Sequence, residues 1–232
     1  MNEKINITDL TLVSGVGDYS AHTACIMSAA VAKWRMEHGE ELGEATDSIE
    51  CIDSPIRRIA IAINDGKWWG SDKERTETLL PFIDQILNTK GSSELTQLRA
   101  YKCTDYTVRV FLPIILDTEY PEQAEYLRSL PEIVDIHTAI VGKKAAAAVS
   151  TGLYAAADAA AVSTGLYAAA DAAAVYAVYV ARSAAADAAG AAYAAYAAYA
   201  AYHAAYHASH ATKVPTRTAA LRLLTELCSM TD

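Results

Sequence analysis

Asp53-Ser54-Pro55-Ile56-Arg57-Arg58-Ile59-Ala60-Ile61-Ala62-Ile63-Asn64-Asp65-Gly66 carries a complete helix signal, and its reading decides the fold class. Asp53 is a capping residue type, and Pro55 stands at a first-turn position, where its missing N–H costs nothing. Ile56, Ile59, Ala60 and Ile63 then recur at i, i+3, i+4 and i+7, the period of one helix face. Asn64-Asp65-Gly66 closes the run.

The neighbouring segments repeat this grammar. Toward the N-terminus, Ala24 to Met36 spaces Ile26, Ala29, Ala30 and Ala32 helically near Trp34 and stops at Gly39. Toward the C-terminus, Ser71 and Glu74 form a capping box before Leu79, Phe82, Ile83, Ile86 and Leu87, with Pro81 predicting a kink. Ser93 to about Leu112 predicts a further helix bent or ended at Pro113, and Pro121 opens a short one through Leu130. No run alternates with period two as a half-buried strand does, so the expected class is all-α, a multi-helix bundle.

Composition changes at Lys143-Lys144. The first 144 residues hold 23 acids and 15 bases, whereas the remainder holds five and four and is about half alanine as far as Ala211. Two segments are therefore expected, a helical domain covering 1–144 and an Ala/Tyr-rich helical segment covering 145–232 that packs on it as one fold. AVSTGLYAAADAA occupies 148–160 and again 161–173. Thirteen residues rotate a helix by about 1300°, so equivalent tyrosines of the two copies would face about 140° apart. The repeat thus fits tolerated expansion, or short helices broken at Ser-Thr-Gly, and not a solenoid unit. Alanine has the strongest helix propensity and loses no rotamer freedom on burial, so closely packed helices are expected here. Thr216 to Met230, with Leu221, Leu223, Leu224, Leu227 and Cys228, predicts an amphipathic closing helix.

Charge and cysteine usage exclude several function classes. A net charge of -9 without a Lys/Arg run repels phosphate backbones, which argues against general nucleic-acid binding. Cys25, Cys51, Cys103 and Cys228 are widely spaced and form no CxxC pair, so neither a zinc ribbon nor a disulfide framework is expected and a reducing compartment is. The N-terminus lacks the apolar run of a signal peptide, which predicts no export. Ala188 to Thr212 has no charged residue, but it also lacks Leu, Ile, Val and Phe, so no membrane span is expected. Together these predict a cytoplasmic protein.

Two groups of side chains could carry chemistry. His203, His207 and His210 fall at i, i+4 and i+7 on one helix face, but the segment offers no carboxylate partner, and no metal or other cofactor is expected. Arg57, Arg58, Asn64, Asp65, Arg75, Arg99, Asp105 and Arg109 form the densest polar set on otherwise apolar helices, and Asp105 can pair with Arg109 at i, i+4. Arginine forks receive a carboxylate or phosphate in planar, two-point geometry, so these eight are the candidate ligand-binding residues. The competing reading makes Asn64 and Asp65 a helix end and the arginines structural ion-pair partners. No GxSxG, Walker glycine loop or HExxH occurs, so no catalytic residue is assigned.

Several words resemble an uncharacterised family of bacterial and bacteriophage proteins. They are Asp18-Tyr19-Ser20-Ala21, Cys25-Ile26-Met27, Cys51 through Ile56 with Asn64-Asp65, Arg75 with Leu79-Leu80-Pro81, Asn88-Thr89, Arg99 to Asp105, Val108-Arg109 and Pro113. The resemblance covers about residues 18–135, and phage members follow it with similar Ala/Tyr/Asp-rich repeats. The family usually has an acid where this chain has Ser28 and a glycine where it has Asn88. It implies no activity, but its phage members suggest a role in host takeover or counter-defence. The leading expectation is a non-enzymatic binding or interaction protein of the bacterial host cytoplasm, with a protein partner. The alternatives are a sponge for an anionic small molecule such as a cyclic nucleotide, and a structural protein that homo-oligomerises through its Ala/Tyr helices.

Overall fold

The computed structural model describes residues 6–160 and 210–232, with side chains for 6–149 and 213–232. The second copy of the tandem repeat, the AAY triplets and His203 and His207 lie outside the described residues, as does the expected close packing of Ala/Tyr helices. Within them the fold is all-α. The chain divides into two compact units, Met1–Gly91 and Ser92–Asp232.

In the first unit, a 3-10 turn at Ile7–Asp9 leads to a two-residue strand, β1 (Thr11–Leu12), paired in parallel with β2 (Thr23–Ala24). Two residues are too few to show an alternating period, which is why no sequence signal announces this pair. Gly17 lies in the connection at φ +84°, and a Cβ there would sit 2.4 Å from Ala24 Cα. Only glycine allows both the left-handed backbone and that approach. Helix α1 (Ile26–Glu37) follows directly, its first turn capped by the Cys25 thiol, which accepts from the Ser28 N–H. Helix α2 (Ser54–Asp65) has the bounds its sequence signals imply, with Ile56, Ile59, Ala60 and Ile63 all buried. The capping box of α3 (Asp72–Leu79) forms on one side only. Ser71 Oγ accepts from the Glu74 N–H, while Glu74 reaches past Ser71 to the Gly70 N–H. Pro81 produces the expected break, a 3-10 turn at Leu80–Phe82 before the short α4 (Ile83–Ile86). Asn88 then adopts φ 57°, the left-handed region that favours glycine.

In the second unit, α5 (Ser93–Tyr106) does not end at Pro113. It passes through a π turn at Thr107–Phe111, closed by the Leu112 N–H to the Thr107 carbonyl, into α6 (Leu112–Leu116). The widened turn places Pro113 in the first turn of α6, where proline is tolerated. Helix α7 (Pro121–Ser129) packs on α6, and α8 (Ile136–Ala160) runs unbroken through both Lys143-Lys144 and Ser150-Thr151-Gly152. The composition change therefore falls inside a helix. Ala139, Gly142, Ala145, Ala146 and Val149 form the buried stripe of α8 and join Val108, Leu112, Leu116, Ala124, Leu127 and Ile133 in one cluster. A Cβ on Gly142 would meet Cδ1 of Ile133, in the segment leading into α8, at 2.6 Å, so only glycine fits against that side chain. The C-terminal helix α9 (His210–Ser229) buries Thr216, Ala219, Ala220, Leu223, Leu224 and Leu227, an amphipathic face at helical spacing.

Candidate functional site

The eight candidate residues fall into the two units, five in the first and three in the second. Asn64 and Asp65 do more than close α2. Asn64, fully buried, accepts from the Ile26 N–H at 3.1 Å and donates to the Val13 carbonyl at 2.8 Å and to Asp65 Oδ1 at 2.9 Å. Asp65 Oδ1 also accepts from the Gly15 N–H at 2.9 Å and the Ser14 hydroxyl at 3.3 Å. The two side chains thereby tie the end of α2 to the start of α1 and to the loop after β1. They satisfy one of the orphan N–H groups that every helix start presents.

Arg75, from the first turn of α3, is buried and donates through Nη1 to the Leu12 carbonyl at 3.2 Å and to Asp72. Its neighbour Thr76 accepts from the Leu12 N–H at 2.8 Å, so α3 satisfies both backbone groups of β1's last residue. Arg57 donates to Ser48 Oγ at 3.2 Å from a half-buried position, and Arg58 is likewise half-buried on α2.

Arg99 is almost wholly buried, and its guanidinium donates to the Leu227 carbonyl at 3.1 Å and the Met230 carbonyl at 2.7 Å. A cation at the last carbonyls of α9 is where the helix dipole favours positive charge. The bond is reciprocated: Asp232 accepts from the Ser92 N–H at 3.1 Å and from the Ser92 hydroxyl at the start of α5. Those hydrogen bonds from Ser92 hold the Asp232 carboxyl below the usual carboxylate range. Asp105 pairs with Arg109 at 3.0 Å, as the i, i+4 spacing predicts, and its same oxygen accepts from the Ile133 N–H at 2.9 Å. That contact pins the segment leading into α8.

One polar cluster was not singled out by sequence reading. The Tyr106 hydroxyl donates to Glu226 and accepts from Arg222 Nε at 2.9 Å. Lys102 lies between Glu226 at 3.2 Å and Glu132 at 3.3 Å. Lys102–Tyr106 and Arg222–Glu226 are both i, i+4 pairs, a signal present in the sequence, but only folding sets the two helices together. Burial, and then the Glu226 carboxylate, push the Tyr106 hydroxyl up to about 12. A phenol held neutral at that level is a poor base or nucleophile at neutral pH, and the cluster joins α5 to α9.

Burial also raises the Cys25 thiol and pushes Cys228 up to about 12, which disfavours the thiolate form of both. Among the described residues no group of three or more His, Cys, Asp or Glu side chains could hold a metal ion, and no helix is long and apolar enough to cross a membrane. Comparison of the chain with protein-family models, with curated proteins and with solved structures finds no match.

Proposed function

We propose that the protein acts by binding another protein, without catalysis, in the bacterial cytoplasm and in the host-takeover or counter-defence setting that its resemblance to phage proteins implies. One observation carries this reading. Arg57, Asn64, Asp65, Arg75, Arg99, Asp105 and Arg109, seven of the eight candidate ligand-binding side chains, are engaged in bonds within their own units. An anion sponge would have to compete with those bonds, and burial makes vacating them costly. The surface is what is left for recognition.

Two measurements on the purified full-length chain test the reading. Hydrolase, transferase and deaminase assays should give no turnover, and an activity abolished by a single polar substitution would overturn it. Thermal-shift titration with cyclic nucleotides should leave the transition in place. A ligand at 100 times its dissociation constant would add about 2.7 kcal/mol, so a clear upshift would replace the protein-partner reading with the sponge.

A further inference from the structure

We propose that a groove in the first unit, bounded by α1, the Ile7–Asp9 turn and the Leu80–Ile86 segment, is a docking site for a partner polypeptide that presents an apolar side chain beside a lysine or arginine. The groove has a volume of about 430 Å³. That lies in the range that holds one or two large side chains, and the groove is open to solvent along its length. Ile7, Met36, Leu80 and Ile83 give it an apolar lining. Met36 is exposed at the lip, and methionine's flexible, polarisable side chain adapts to varied partners.

Charge selects the partner. Lys33 is bonded to Asp84 and lies 3.7 Å from Glu37, so two carboxylates face one ammonium and the groove keeps one net negative charge. Beyond the end of α1, Glu40, Glu41 and Glu44 are exposed acids outside the groove lining. A basic residue flanking the anchor would meet complementary potential, whereas a second copy of this chain, at net charge -9, meets repulsion. An anchor in an apolar slot with a charged rim is the arrangement in which a few residues dominate affinity.

This inference rests on the binding reading above and narrows it to one surface and one partner chemistry. The probe is a fluorescent amphipathic peptide of leucine and lysine, titrated by anisotropy against the full-length chain, with a leucine–glutamate peptide as its counterpart. The expected result is binding of the basic peptide alone, weakened about tenfold by Glu37→Lys and by Met36→Asn, the latter changing no charge and leaving the Lys33–Asp84 pair intact. Glu77→Lys changes the net charge by the same amount on exposed α3 and should leave affinity within about twofold. Circular dichroism melts establish that each variant is folded. Equal weakening by Glu77→Lys and Glu37→Lys, no weakening by Met36→Asn, or a dimer by sedimentation that Met36→Asn dissolves would each overturn the proposal. A partner protein whose binding ignores the groove substitutions would refute the groove while leaving the binding reading standing, whereas catalytic turnover would remove both.

Discussion

Replacing Asn64 with leucine is the sharpest perturbation of the first unit, because the side chain is fully buried and holds three elements at once. Leucine has nearly the same shape but no polar atom. The Ile26 N–H, now bonded at 3.1 Å, would remain buried without a partner, and the half-buried Val13 carbonyl would lose its donor at 2.8 Å. A buried orphan costs about 1–3 kcal/mol and a partly solvated one less, so the pair predicts a loss of about 1–4 kcal/mol, less the small gain from added apolar area. Asn64→Asp separates the two roles. Its oxygen still accepts from the Ile26 N–H, but an ionised carboxylate would face the Val13 carbonyl and the Asp65 carboxylate. Like charge raises the folded-state pKa of the introduced acid above its unfolded value of about 3.9. Stability relative to wild type is therefore greatest below that value and falls as pH rises through the folded pKa. Urea unfolding at pH 4.5 and pH 7, followed by circular dichroism, measures both effects. A loss under about 1 kcal/mol for Asn64→Leu, or an Asn64→Asp penalty independent of pH, would refute the staple.

In the second unit, Arg99→Met keeps the aliphatic stem and removes both bonds to the α9 carbonyls, so urea unfolding should register a loss of about 2–4 kcal/mol; a neutral substitution would mean that α9 needs no cap. Asp18, Asp135 and Asp232 all sit below the usual carboxylate range, Asp18 and Asp232 chiefly through side-chain hydrogen bonds from Ser20 and Ser92, and Asp135 chiefly through the Thr138 N–H. Since their folded pKa values are depressed, their contribution is present above about pH 4 and is lost as pH falls through the folded values, which a melting-temperature series in acid should follow and the triple Asn variant should flatten. Cutting the chain after Lys144 severs α8 and removes Ala145, Ala146 and Val149 from the core cluster together with the helix that Arg99 caps. Residues 1–144 should accordingly melt below the whole chain and lose solubility, and a melt at the temperature of the full chain would show that 145–232 contributes nothing to the fold.

The sequence by itself determined the all-α class and most helix positions, because those signals are local. Pro55 in the first turn of α2, where Asp53 makes no side-chain cap bond, and the Ser71 cap of α3 fix helix starts through short-range chemistry, and the isoleucine spacing of α2 names the face that folding buries. It determined the Asp105–Arg109 pair for the same reason, since one helical turn brings the two together. Tertiary structure alone decided what the remaining candidates do. Asn64 meets Ile26 across 38 residues, Arg75 meets Leu12 across 63, and Arg99 meets Leu227 across 128. Nothing local distinguishes an arginine poised for a ligand from one that caps a distant helix. The π turn before Pro113 was likewise out of reach, because a proline in a helical run reads as a break unless the packing of Val108, Phe111 and Leu112 carries the helix past it. The same limit applied to the β1–β2 pair, whose two residues per strand have no period to read and exist only because Gly17 lets the backbone approach Ala24. Helical period and capping act over a few residues and can be read from the chain. The assignment of a polar side chain to a partner depends on contacts made only once the chain has folded.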